Sequence, residues 1–187
     1  DANGGTFSDG STVLYFTGSE TEPVGAVPTP SLEGYKFTGW YWEDGVTPFE
    51  LTTETTLTKN TYLKAGWDVA DCNVTFVGAD VNGVTYTVKY GSKITAPTDM
   101  DVVGSVIEGW YTEADGAGPK WNFAADTVTS DIVLYANYVT AVYTVYFDAN
   151  KGVLDGADTV EVAHGDIITG APNASREGYT FVGWTYN

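Results

Sequence analysis

The chain has 187 residues, of which 43% are hydrophobic and 14% aromatic, so it carries enough apolar surface for packed cores and is not a disordered chain. Its 25 acidic residues against 8 basic ones give a net charge of -17, which repels phosphate backbones and anionic lipid and excludes nucleic acid as a partner. No apolar run approaches the roughly 18 residues that a membrane span requires, so no membrane insertion is predicted.

The first third of the chain reads as strands joined by polar loops. After the opening "DANGG" comes "EGYKFTGWYWEDG", residues 33–45, in which Tyr35 and Phe37 fall on one face of a strand. A long loop then leads to a second apolar segment, "TYLKAGW", residues 61–67. Alternating aromatic and β-branched residues of this kind favour half-buried strands over helices.

The same elements return further along the chain. The middle third contains "CNVTF", "TYTVKYG", "VGSVIEGWYTEADG" and "IVLYANY" in that order. The last third opens on "YTVYFDAN", whose ending matches the "DAN" at the N-terminus, and closes on "EGYTFVGWTYN". No eleven-residue window shows a helical stripe, so each unit is predicted to run strand, hairpin turn, strand, crossover, strand, long loop, strand.

These recurring motifs define a repeat of about 70 residues, which is too long for a solenoid turn and suited to a very small domain. We predict repeat 1 at residues 1–69, repeat 2 at 70–140 and repeat 3 at 141–187. In this register repeat 1 lacks its first strand and repeat 3 lacks its last strand. The seams between repeats are short and contain no Gly/Ser linker, which predicts a semi-rigid, elongated rod.

A glycine precedes the tryptophan in every repeat. Trp40 has the wrong parity to share the face of Phe37 in a regular strand, and a bulge at Gly39 would restore it. We therefore expect the recurring aromatic block to form the core of each repeat, because a ligand site need not recur. The predicted core residues are Tyr35, Phe37, Trp40, Trp110, Tyr179, Phe181 and Trp184.

The motif string "YTVYFDANKG", "VEVAHGDIITGAP" and "REGYTFVGW" resembles the Listeria–Bacteroides repeat, also called the internalin B-repeat. The resemblance covers essentially the whole chain and is weakest in repeat 2, where "VGAD" stands in place of "DANGG". It implies a mainly β fold, α+β at most, built of tandem small β-grasp-like modules with little helix. It also implies a non-catalytic stalk or spacer on a secreted or surface-anchored bacterial protein, extracellular and associated with the cell surface or cell wall, with a role in adhesion or protein–protein assembly.

The inventory of reactive side chains is thin. His164 is the only histidine and is expected at a strand end before the turn glycine Gly165, with Tyr90 as its counterpart in repeat 2. Cys72, the only cysteine, is expected to point inward, without a basic neighbour that would make it a thiolate. The acidic stretches 99–101 and 112–116 lack the spacing of a calcium-binding loop. We predict no catalytic, cofactor or metal site, and no enzymatic activity.

Residues that do not recur are the better candidates for binding. Tyr41, Trp42 and Tyr111 follow the shared Gly-Trp pair and are predicted ligand or interface contacts, for an unknown protein or glycan. Trp42 could stack on a sugar face, which makes a carbohydrate-binding accessory module the alternative function, or it could cover a junction between repeats. Incomplete terminal repeats also expose sheet edges, so we expect them to be poorly ordered or to be completed by a neighbouring chain in head-to-tail self-association.

Overall fold

A computed structural model describes residues 1–16, 20–79 and 82–186. The described part of the chain is built from strands, with one 3₁₀ turn of three residues at Ala114–Gly116, which confirms the predicted mainly β fold. The strands are β1 (Tyr35–Trp42), β2 (Pro48–Phe49), β3 (Leu63–Val69), β4 (Asp71–Val77), β5 (Val84–Lys89), β6 (Ser105–Tyr111), β7 (Ile132–Thr140), β8 (Val142–Tyr146), β9 (Val153–Asp155), β10 (Thr159–Ala163) and β11 (Asn173–Ser175).

The strands form four small sheets. Repeat 1 contains a three-stranded sheet in the order β2-β1-β3, and repeat 2 a four-stranded sheet in the order β5-β4-β7-β6. Repeat 3 contains two pairs, β10-β8 and β11-β9. Repeat 2 thus shows the element order predicted from the sequence, with a hairpin of β4 and β5, a loop to β6 and a longer loop to β7.

Two compact units can be distinguished. The first comprises Asp1–Thr75, Val84–Thr95 and Asn122–Ile132, and the second comprises Phe76–Gly83, Ala96–Trp121 and Val133–Asn187. The first unit buries Ala2, Phe7, Ala65, Cys72, Val74 and Val128, and the second buries Phe76, Trp110, Leu134, Ala141 and Phe147. Single residues, Ala70 and Ala141, separate β3 from β4 and β7 from β8.

The predicted bulge is present in two repeats. The β1–β3 ladder shifts register between Phe37 and Gly39, and the β6–β7 ladder shifts between Ile107 and Gly109. Gly39 has a φ of 133°, a conformation that L side chains rarely adopt. Because the bulge slips the strand by one residue, Trp40 returns to the face of Phe37, and the two rings meet edge-on at 5.4 Å.

The aromatic residues predicted as core differ widely in burial. Trp110 is only 4% exposed, while Phe37, Trp40 and Trp184 are half-buried. Tyr35, Tyr179 and Phe181 are exposed, at 45%, 68% and 41%, which corrects the expected core placement. Tyr35 is the first residue of β1 and pairs with Val69, which is itself 38% exposed, whereas Tyr179 and Phe181 lie outside the strands.

Candidate functional site

The seam between repeats 1 and 2 is held by backbone hydrogen bonds on both sides of one residue. The N–H of Ala70 donates to the carbonyl of Gly34 at 2.9 Å, and the N–H of Tyr90 donates to the carbonyl of Ala70 at 2.9 Å. The turn before β1 and the turn after β5 are therefore both hydrogen-bonded to the backbone of Ala70. All of these residues belong to the first compact unit.

The side chain of Tyr90 completes this first joint. Gly34 has a φ of 76°, and a Cβ built on it would lie 2.5 Å from Cδ1 of Tyr90, so the ring packs directly on the glycine backbone. The Tyr90 hydroxyl donates to a carboxylate oxygen of Glu33 at 3.0 Å, and this bond raises the pKa of Tyr90. Two features favour glycine at position 34: the positive φ, and the close approach of the Tyr90 ring, which leaves no room for a Cβ atom.

The seam between repeats 2 and 3 has the same construction. The N–H of Ala141 donates to the carbonyl of Gly104 at 2.9 Å, and the N–H of His164 donates to the carbonyl of Ala141 at 2.8 Å. Gly104 again has a φ of 76°, and a Cβ on it would overlap the His164 ring. The imidazole also meets Tyr143 edge-on at 6.0 Å. These residues all belong to the second compact unit.

Repeat 3 carries a third copy of the glycine. Gly178 has a φ of 78° and follows Glu177 as Gly34 follows Glu33, but a Cβ on Gly178 would meet nothing within 4 Å. The turn conformation therefore occurs in all three repeats, whereas the ring contact occurs only at the two seams between repeats. Val103, which is 92% exposed, replaces this glutamate at the second joint.

The joints are not predicted by the sequence pattern, although the pattern aligns His164 with Tyr90 and places His164 beside its turn glycine. The structure confirms that position, since His164 directly follows β10 and precedes Gly165. Two features of the sequence could have indicated the joints. An aromatic ring precedes a turn glycine in repeats 2 and 3, at Tyr90 and His164, and a glycine precedes β1 and β6 in the repeat before. Pattern alone does not reveal that the two turns meet across a seam.

A polar cluster in repeat 2 surrounds the carboxylate of Glu108. It accepts hydrogen bonds from the Tyr111 hydroxyl at 2.7 Å, the Asn137 amide at 3.0 Å and the Lys120 ammonium at 3.1 Å. These donors, Tyr111 foremost, lower the pKa of Glu108 to about 2. A carboxylate held ionised by three donors is a poor proton acceptor, so the cluster ties β6 to its neighbours and is unsuited to general base chemistry.

The predicted contact residues are engaged within their own sheets. Tyr41 packs its ring on Gly66 of the paired strand, and Trp42 meets Phe49 edge-on at 4.9 Å with the Lys59 ammonium 5.9 Å from its ring centre. Tyr111 is held in the Glu108 cluster. Tyr41 and Trp42 lie in the first compact unit and Tyr111 in the second. All three are half-buried, and a role for them in ligand or interface contacts stays a prediction.

Cys72 is buried at 5% exposure in β4, as predicted for an inward position. Among residues 1–16, 20–79 and 82–186, no group of three or more His, Cys, Asp or Glu side chains could hold a metal ion. Within the same ranges, no helix has the length and apolar character to cross a bilayer.

Comparison with known proteins identifies the repeat. The model of the Listeria-Bacteroides repeat domain matches residues 1–66, 73–137 and 143–187. The chain is 35% identical over 164 residues to a protein of Evansella cellulosilytica named "Putative membrane protein", covering 84% of this chain and 24% of that protein. A second protein of that organism, named "Putative Gly-rich membrane protein", is 31% identical over 167 residues, covering 88% of this chain and 18% of the relative.

Internalin H of Listeria monocytogenes is 35% identical over 109 residues, covering 56% of this chain and 19% of the internalin. The chain therefore spans about a quarter or less of the length of these three relatives. Three separate matches to one family model cover nearly all of the sequence, in agreement with the three repeats recognised from their motifs. The chain belongs to the Listeria-Bacteroides repeat family and contains three tandem copies of the repeat.

Proposed function

We propose that this chain is a non-catalytic segment of a bacterial surface or secreted protein that spaces and presents other domains outside the cell. The observation that carries the proposal is the recurrence of one joint at both seams. In each, a single alanine is hydrogen-bonded on both sides and an aromatic ring packs on a glycine of the preceding repeat.

Such a joint suits a spacer because it limits rotation between neighbouring repeats. Each backbone hydrogen bond stabilises the joint by about 0.5–1.5 kcal/mol net. Because only one residue connects the strands, little conformational entropy is lost when the joint is ordered. A Gly/Ser linker would instead behave as a flexible coil. In this proposal the repeats act as a spacer, and adhesive contacts are made by the domains that they present.

The extracellular setting is supported by composition and by relatives. One buried cysteine and a net charge of -17 suit an exposed, soluble surface protein. Two relatives carry membrane-protein names and the third is an internalin. The non-catalytic role is supported by the match to a repeat-domain family and by the internalin relative.

Backbone ¹⁵N relaxation of the full chain tests the spacer proposal. Rigid joints predict one rotational correlation time for all three repeats. As a control, insertion of Gly-Ser-Gly-Ser between Val69 and Ala70 should release repeat 1 and give it a shorter time of its own. Independent times for the repeats of the unmodified chain would contradict the proposal.

The alternative, a carbohydrate-binding accessory module, rests on the half-buried Trp42, which has no aromatic counterpart in repeat 2. We place it second because Phe49 and Lys59 already occupy the surroundings of this ring. A glycan panel read by tryptophan fluorescence would favour the alternative if binding is saturable and is lost in Trp42→Ala.

A further inference from the structure

The outer face of the repeat 2 sheet is defined by the buried residues behind it. Trp110 of β6 is 4% exposed and Leu134 of β7 is fully buried, so the alternate side chains of both strands point away from the core. All of this face lies within the second compact unit. The outer face consists of Val106, Glu108 and Tyr111 of β6, and of Val133, Tyr135, Asn137 and Val139 of β7.

One end of the outer face carries apolar side chains where repeat 1 carries charged ones. Val106 pairs with Val139 across β6 and β7, and the two residues are 52% and 41% exposed. At the same place in the β1–β3 ladder of repeat 1, Lys36 pairs with Asp68. Antiparallel sheets commonly keep polar residues on their solvated face, and clustered exposed apolar residues mark a contact surface.

The other end of the outer face carries two adjacent tyrosines. Tyr111 pairs with Tyr135 of β7 on one side and with Lys120 on the other. Both tyrosines are half-buried, and the Lys120 ammonium lies 5.7 Å from the centre of the Tyr111 ring. In repeat 1 the partner of Tyr41 on β3 is Lys64, so the ladder of repeat 1 has one tyrosine at this place and the ladder of repeat 2 has two.

The Glu108 cluster holds polar groups in fixed positions between the valines and the tyrosines. The Tyr111 hydroxyl and the Asn137 amide donate to the same carboxylate oxygen, Oε2, at 2.7 Å and 3.0 Å. The Lys120 ammonium donates to the other oxygen at 3.1 Å and to the Glu108 carbonyl at 2.8 Å. The 3₁₀ turn borders Asn137, because a Cβ on Gly116 would lie 3.1 Å from the Asn137 Cγ. Groups oriented in advance lose little side-chain entropy when they bind a ligand.

The size and charge of the outer face favour a small neutral ligand. Neighbouring strands lie about 4.8 Å apart and alternate residues about 7 Å apart, so two strands over these rows offer roughly 10 Å by 15 Å. This area is several times smaller than the roughly 800 Å² that each partner buries in a protein–protein interface of standard size. Glu108 and Lys120 form an ion pair on the face, whereas the chain as a whole carries a charge of -17, which repels an anionic polymer and a second copy of the chain.

We propose that the outer face of repeat 2 binds a neutral glycan, with sugar rings stacked on Tyr111 and Tyr135 and a sugar hydroxyl hydrogen-bonded to Asn137. Tyrosine combines a large apolar ring with a polar tip, and binding sites pair such rings with a few placed polar groups that fix the orientation of the ligand. The paired valines extend the apolar surface beside these groups. The proposal goes beyond the spacer role and does not involve Trp42.

Two-dimensional ¹⁵N NMR of the full chain tests this proposal, with chitotetraose, cellotetraose and mannotetraose as probes. At least one of them should shift the amides of β6, β7 and residues 112–120 saturably. Tyr135→Lys, which introduces the residue that repeat 1 has at this position, should weaken binding at least tenfold, and Tyr135→Phe, which keeps the ring, should bind like the parent. Tyr41→Ala is the matched control, since it removes the corresponding tyrosine of repeat 1, and it should also bind like the parent.

Tetragalacturonate, an anionic tetrasaccharide, should bind at least tenfold more weakly than the best neutral probe. The proposal is overturned if no neutral probe gives saturable shifts, if Tyr135→Lys binds like the parent, if Tyr135→Phe or Tyr41→Ala loses binding, or if tetragalacturonate binds equally well. Shifts of the outer-face amides that depend on protein concentration without sugar would place a second copy of the chain there and would also overturn it. None of these outcomes depends on whether the seams are rigid, so failure here leaves the spacer proposal standing.

Discussion

Substitution of the joint glycine by alanine separates the seam contact from the turn conformation. Gly34 and Gly178 have nearly the same φ, 76° and 78°, so Gly34→Ala and Gly178→Ala carry the same left-handed backbone cost of about 1–2 kcal/mol. At Gly34 the new methyl group would lie 2.5 Å and 2.6 Å from Cδ1 and Cε1 of Tyr90, whereas at Gly178 it meets open space. Forcing the ring away resembles overpacking, which typically costs about 1–3 kcal/mol.

Urea unfolding followed by tryptophan fluorescence measures the difference. Gly34→Ala should be about 1–3 kcal/mol more destabilising than Gly178→Ala. In a Tyr90→Ala background, where the ring is gone, the cost of Gly34→Ala should fall to that of Gly178→Ala. Equal costs for the two single variants, or an unchanged cost in the Tyr90→Ala background, would refute the packing of the ring on the glycine.

Three further predictions concern the cores, the polar cluster and the second joint. Trp110→Ala should destabilise repeat 2 by about 3–5 kcal/mol in urea, and an unchanged midpoint would place Trp110 on the surface. NMR titration should give Glu108 a pKa of about 2, raised in Tyr111→Phe. Because this pKa lies below the ordinary value of 4.5, the contribution of Glu108 to folding stability is complete above about pH 4.5 and is lost as the pH falls through 2. A Glu108 pKa near 4.5 would contradict the hydrogen-bonded cluster. His164→Phe should keep the second joint and His164→Ala should weaken it, measured by hydrogen exchange of the Ala141 and His164 amides; equal protection in both variants would argue against ring packing.

The sequence predicts the repeat, the strand order and the bulge because each depends on local pattern. A glycine before a tryptophan of the wrong parity implies a one-residue slip, and the register shift at Gly39 confirms it. Burial is harder to predict, since it depends on what lies across the sheet. Tyr179 and Phe181 share the motif of repeat 1 yet are exposed, because residues 179–186 form no strand that could pack over them.

The joints lay beyond sequence reasoning for a related reason. Gly34 and Tyr90 are 56 residues apart, and their contact depends on how β3 and β4 meet at Ala70. Glycine before β1 reads as an ordinary turn residue, and the ring before Gly91 reads as a strand end. Only the three-dimensional structure shows that the Tyr90 ring packs on Gly34.

The width of a distance distribution across the first joint tests the central claim most directly. Spin labels at Lys36→Cys and Thr129→Cys, both exposed and both within the first compact unit, can be placed in a Cys72→Ala background and measured by double electron–electron resonance. A joint that fixes the orientation of repeats 1 and 2 predicts a single narrow distribution that broadens in Tyr90→Ala. A distribution already broad in the parent chain, or one unchanged by Tyr90→Ala, would contradict it.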